Sequence, residues 1–165
     1  MKSKTLTRII CAVLALVMIF SLAGCGNPQD SGPIVVEPNY SSGDRVYVEL
    51  KCHNITDLSK YIFPENMTVL GLPFNQISDL TPLAGLTNLR ELDLHENQVS
   101  DLTPLADLIN LTHLGLGNNQ ISNLTPLFGM NNLTKLYLSG NEELTQNQID
   151  ELQEKLPECR IEFIN

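Results

Sequence analysis

Leucine recurs along this chain in two interleaved patterns. In Leu92 and Leu94, Leu114 and Leu116, and Leu136 and Leu138 the apolar residue returns every second position, the period of a strand with one buried face. Behind each pair the apolar positions fall three apart, as in Val99, Leu102, Leu105, Leu108 and Leu111, which suits a chain that curves back with these side chains turned inward. The two patterns repeat together. Aligning 70–91, 92–113 and 114–135 gives three units of 22 residues, of which the second and third agree at 12 of 22 positions. A weaker copy occupies 48–69, and a final one opens at Leu136 and then departs across 136–165.

One such coil cannot enclose its own leucines, so neighbours must stack and share a core. Asn75, Asn97, Asn119 and Asn141 hold the sixth position of successive units, where a buried amide satisfies backbone groups as the strand turns. Thr81-Pro82, Thr103-Pro104 and Thr125-Pro126 combine a capping hydroxyl with a φ-fixed residue and predict a short 3₁₀ or helical turn on the outer side. The end units depart from the pattern. His53 takes the Asn position of the first, where Pro64 and Met67 also replace leucines. At the other end Thr145 and Gln148 have capping-box spacing, Ile149, Leu152 and Leu156 share a helical face, and Pro157 stops the run before a last strand over 160–164.

The shared pattern L-x-L-x-x-N-Q-[IV]-S-x-L-T-P-L-x-x-x-x-N-L resembles the leucine-rich repeat, and its T-P-L form is similar to the bacterial internalin type. The resemblance implies an α/β leucine-rich-repeat solenoid over 46–165. It would be a short right-handed stack of coils with a parallel concave sheet of about five or six strands, an irregular or 3₁₀ convex side and a helix–strand cap. It also implies a non-catalytic module whose concave face binds a protein. The alternative is a structural, envelope-associated lipoprotein that binds components of its own cell.

Ahead of the repeats, Lys2, Lys4 and Arg8 precede an unbroken apolar run over 9–20, the layout of a secretory leader and too short for a membrane span. Leu22-Ala23-Gly24-Cys25 follows and resembles the lipobox of bacterial lipoproteins. That resemblance implies removal of 1–24, acylation of Cys25 and attachment to the extracytoplasmic face of the cell membrane, anchored to the bilayer without spanning it. Pro28, Pro33, Pro38 and three glycines then make 25–45 read as a flexible tether.

The chain carries 10 Lys+Arg against 19 Asp+Glu, and loss of the three basic leader residues takes the net charge from −9 to about −12. A nucleic-acid partner is excluded by the lack of clustered basic residues. Cys52 and Cys159 sit at opposite ends of the stack, roughly 20 Å or more apart, and are expected to be free thiols. Five Asn-x-Thr triplets, at Asn54, Asn66, Asn110, Asn123 and Asn132, read as by-products of the repeat.

Exposed strand positions line up in rows: Tyr47, Val69, Glu91, His113, Lys135; then Glu49, Gly71, Asp93, Gly115, Tyr137; then Lys51, Pro73, His95, Gly117, Ser139. Phe74, Glu96 and Asn118 flank the strand ends. The strip Asp93, His95, Glu96, Gly115, Gly117 and Tyr137 is the candidate partner-binding site, with the two glycines expected to leave a notch and Phe74 and Tyr137 as aromatic anchors. His113 has no nucleophile in its row, and His95 and Glu91 are about 13 Å apart along the strand, too far to share a metal. No enzyme, cofactor or metal is expected, and the chain is expected to be monomeric.

Overall fold

The computed structural model describes residues 34–36, 39–40, 46–50 and 53–164, which fall in the compact unit Gly32–Asn165. The expected leader, Cys25, Lys51 and Cys52 lie outside the described residues.

Among the described residues nine short strands are formed: β1 Ile34–Val35, β2 Asn39–Tyr40, β3 Val46–Glu49, β4 Tyr61–Ile62, β5 Val69–Gly71, β6 Glu91–Asp93, β7 His113–Gly115, β8 Lys135–Tyr137 and β9 Arg160–Glu162. One sheet runs β2-β3-β5-β6-β7-β8-β9, in which β2 is antiparallel to β3 and the six others are parallel. The molecule is a leucine-rich-repeat solenoid. Between β3 and β8 each strand pairs with the residue 22 positions on, as in Val69 with Glu91, Glu91 with His113 and His113 with Lys135. The first two expected rows therefore stand as written. The third, from Pro73 onward, follows by continuation, since Phe74 N–H donates to His95 O at 2.9 Å and Glu96 N–H to Gly117 O at 2.9 Å.

Leucines of the strands and of the returning chain fill one continuous core; Leu94, Val99, Leu105, Leu108, Leu111 and Leu116 have no exposed surface. Fully burying each such side chain is worth about 1.5–3 kcal/mol. Beside it runs a ladder of asparagines. Asn97 Oδ1 accepts from Ile77 N–H at 3.0 Å, while its Nδ2 donates to Leu72 O at 2.9 Å and Leu94 O at 3.1 Å. Asn119 repeats this one coil later, accepting from Val99 N–H at 2.9 Å and donating to Leu94 O at 2.9 Å and Leu116 O at 3.1 Å. Each such amide ties two coils together and satisfies backbone groups where the strand turns.

On the convex side Thr81–Leu83, Thr103–Leu105 and Thr125–Leu127 form the expected 3₁₀ turns with proline in the first turn. The capping differs from expectation. No threonine hydroxyl caps these turns; the carboxylates of Asp79 and Asp101 accept from Thr81 and Thr103 N–H at 2.8 Å, and Asn123 Oδ1 accepts from Thr125 N–H at 3.0 Å. The residue two before the threonine has the reach for this Asx-type turn, and the threonine sits inside the turn it was expected to cap. Asn110 and Asn132 use their amides across coils, donating to Thr87 O and Ile109 O, each at 2.9 Å.

The ends close the stack. Gln148 Oε1 accepts from the Thr145 N–H and hydroxyl, both at 2.9 Å, and starts a helix over Gln146–Lys155 that buries Ile149 and Leu152. At the opposite end the tether reading of 25–45 gives way to structure at two points. β1 pairs in parallel with β4, β2 pairs with β3, and Val36 joins the core. The β-branched run Ile34-Val35-Val36 supplies what the surrounding prolines obscured: a strand-forming segment able to cover the first coil.

Candidate functional site

The sheet's exposed face carries a hollow of about 550 Å³, running from Tyr47 and Glu49 at one end to Tyr137 and Ser139 at the other. Its floor is backbone and small residues. Gly71, Pro73 and Gly117 are buried, whereas Asp93, Glu96, Asn118, Lys135 and Tyr137 project into solvent.

The expected strip is brought together, with one difference. Gly115 and Gly117 do not leave an empty notch. A Cβ at Gly115 would stand 2.7 Å from Asp93 Oδ1, and one at Gly117 would stand 2.8 Å from His95 Nδ1. The glycines make room for side chains that lean across from β6 and its extension, so the space above them holds a carboxylate and an imidazole. Asp93 Oδ1 also accepts from His95 N–H at 3.0 Å, and His95 Nε2 lies 3.6 Å from Glu96 Oε1 and 3.4 Å from Asn118 Nδ2. Phe74 meets the His95 ring edge to face at 5.7 Å between centroids. Asp93, His95, Glu96, Asn118 and Phe74 thus form one polar–aromatic ridge, with Tyr137 across the glycines from it.

Sequence reading missed the backbone beneath this ridge. Phe74, Glu96 and Asn118 have φ of 58°, 51° and 52°, and Gly140 has 77°, all at the position just before a ladder asparagine. A non-glycine residue in this region costs about 1–2 kcal/mol. At 140 a Cβ would fall 1.9 Å from Asn118 Oδ1, so glycine leaves room for the exposed Asn118 side chain to lean across. At 74 and 96 larger residues persist despite the strain, with Phe74 47% exposed and gaining no core burial in return. The signal available in the sequence was Gly140 in register with Phe74, Glu96 and Asn118.

At the hollow's first end the Tyr47 hydroxyl donates to the Glu49 carboxylate. Burial first, then the hydrogen bond and charge of Glu49, push its pKa up to about 12. Mid-sheet, His113 Nδ1 lies 3.0 Å from Thr112 Oγ1, and the residue pairs with Glu91 on one side and Lys135 on the other. Among the described residues no three His, Cys, Asp or Glu side chains are grouped to hold a metal ion. Cys159 is a free, buried thiol whose pKa burial pushes up to about 11.

A model of paired leucine-rich repeats matches 65–107 and 109–158, more than half of the chain. The chain belongs to the leucine-rich-repeat family. Among solved structures it is similar to internalin C2 of Listeria monocytogenes, at 38% identity and a TM-score of 0.60 over 70% of this chain and 50% of that one. A leucine-rich-repeat protein of Leptospira interrogans matches at 28% identity and a TM-score of 0.55, covering 62% of this chain and 28% of that one. The Listeria internalin InlF matches at 26% identity and 0.53, covering 72% and 43%. The chain therefore spans half or less of the length of these proteins. No curated protein matches it by sequence.

Proposed function

We propose that this chain is a non-catalytic recognition module, held by a lipid on Cys25 at the extracytoplasmic face of a bacterial membrane, that binds a protein partner on its concave sheet. The observation that carries the reading is the ridge at 74–118. At the turn position that takes a left-handed backbone in successive coils, 74 and 96 hold an exposed aromatic and a charged residue beside the hollow where glycine or asparagine would be less strained, and side chains kept at such a cost are characteristic of binding sites. Tyr137, 40% exposed, supplies a second aromatic contact, and aromatic residues dominate binding energy at protein interfaces. Similarity to internalins supports the same class of role.

Anchoring is supported by the leader and by Leu22-Ala23-Gly24-Cys25. Two or more acyl chains hold a protein stably where one does not. Six parallel strands at about 4.8 Å spacing make a narrow face, so the interface falls near or below about 800 Å² per partner, with modest, salt-sensitive affinity. The test has two arms. Cys25→Ala releases the chain from the membrane or leaves its leader attached; unchanged membrane partition and processing would refute the anchor. Asp93→Lys and Tyr137→Ala weaken partner binding while Asp107→Lys, exposed just past a convex turn, does not; the opposite ranking would refute the concave face.

A further inference from the structure

β9 ends the seven-stranded sheet, and its outer edge has no neighbour among the described residues. The bonds to β8 show which groups point outward. Arg160 N–H donates to Thr134 O at 2.9 Å and Leu138 N–H donates to Glu162 O at 2.8 Å, so residues 160 and 162 direct their backbone groups to β8. Ile161 then directs its N–H and C=O away from the sheet, as Leu94 does when its N–H meets Gly115 O of the following coil at 2.8 Å. Among the described residues no coil follows. Ile161 and Phe163 are packed against the core but only half-buried, so the edge combines open backbone groups with exposed apolar surface.

We propose that β9 pairs antiparallel with β9 of a second copy of this chain, about a two-fold axis at Ile161, joining the two sheets edge to edge. In this register the two Ile161 residues exchange both backbone hydrogen bonds, the geometry their outward groups already have. Arg160 then stands opposite Glu162 of the second copy, and Glu162 opposite its Arg160, on the concave face. The charges select the register. Moving the axis to Glu162 would oppose two carboxylates, which destabilises a cross-strand pair as surely as opposite charges stabilise it.

Charged residues on an edge ordinarily keep copies apart, but plus and minus placed symmetrically about Ile161 are complementary to themselves when one strand is reversed. Within one chain Arg160 Nη2 and Glu162 Oε1 are 3.0 Å apart, with the Arg160 side chain largely exposed and that of Glu162 half-buried. Exchanging that pair for two intermolecular ones gives up little. With a three-residue strand on each side, the interface is well below standard size and the dimer is weak.

Sedimentation equilibrium of the full-length chain in density-matched detergent tests the idea. Wild type shows a reversible monomer–dimer equilibrium as concentration rises. Arg160→Glu alone, or Glu162→Arg alone, puts like charges opposite at both symmetric positions and weakens dimerisation about tenfold or more. An equimolar mixture of the two variants recovers wild-type association as a heterodimer, a result that misfolding of either variant would not produce. Monomer at every concentration, masses growing beyond the dimer, or a mixture no better than its components would overturn the proposal.

Discussion

Asn119→Ala removes the middle rung of the amide ladder, and the structure indicates what that costs. Val99 N–H, wholly buried, has Asn119 Oδ1 at 2.9 Å as its partner and is orphaned by the change. A buried group left unsatisfied costs about 1–3 kcal/mol. The three carbonyls that Asn119 serves are less exposed to loss. Leu94 O keeps Asn97 at 3.1 Å, Leu116 O keeps Asn141 at 2.9 Å, and Gly117 O keeps Glu96 N–H at 2.9 Å. Each lost bond there costs nearer the low end of about 0.5–1.5 kcal/mol. The expected total is about 3 kcal/mol, a large share of a stability that is ordinarily 5–15 kcal/mol, about the whole range for single domains. Urea unfolding followed by circular dichroism measures it, with Asp107→Ala, an exposed change, as the reference that stays within about 0.5 kcal/mol of wild type. A loss below about 1 kcal/mol for Asn119→Ala would mean that the ladder does not hold the coils together.

Three further outcomes follow from the same geometry. Leu94→Ala is expected to cost about 2–5 kcal/mol and Asp93→Ala less than about 1 kcal/mol, measured by the same unfolding; equal losses would invert the inside and outside assignments. Asp101 titrates below its ordinary value because the Thr103 hydroxyl and then the Thr103 N–H bond its ionised carboxylate. Its folded pKa lies under the unfolded one, so its contribution is complete above the ordinary aspartate value and is lost as pH falls through the folded value; Asp101→Asn should flatten that part of the acid-unfolding profile, and an unchanged profile would contradict it. Cys159, buried and held in the thiol form, should resist a thiol reagent at neutral pH until the chain is unfolded, and rapid labelling of the folded chain would count against its burial.

The repeat made most of the fold legible. A 22-residue period with leucines two apart fixes which side chains face in, and it placed the rows across the sheet in the register observed. The helix–strand cap was readable for the same reason, because Thr145, Gln148 and Pro157 are local signals. What escaped depends on contacts between coils or on backbone angles. That Gly115 and Gly117 lie under Asp93 and His95 follows from how side chains lean across a sheet, which no single coil encodes. The strain at Phe74 and Glu96 was masked because neither residue favours a left-handed backbone. Ile34 and Val36 were hidden by their proline-rich surroundings, and the carboxylate caps at Asp79 and Asp101 by the more conspicuous threonines beside them.

The concave-face account is tested most directly by a photo-reactive residue placed at Tyr137 and, separately, at Ile109, an exposed position outside the strands, in the otherwise native chain. Illumination on living cells in contact with the partner, followed by mass spectrometry, is expected to give a specific protein adduct from position 137 that Asp93→Lys diminishes, and none from position 109. The same adduct arising from 109 and not from 137 would contradict the account.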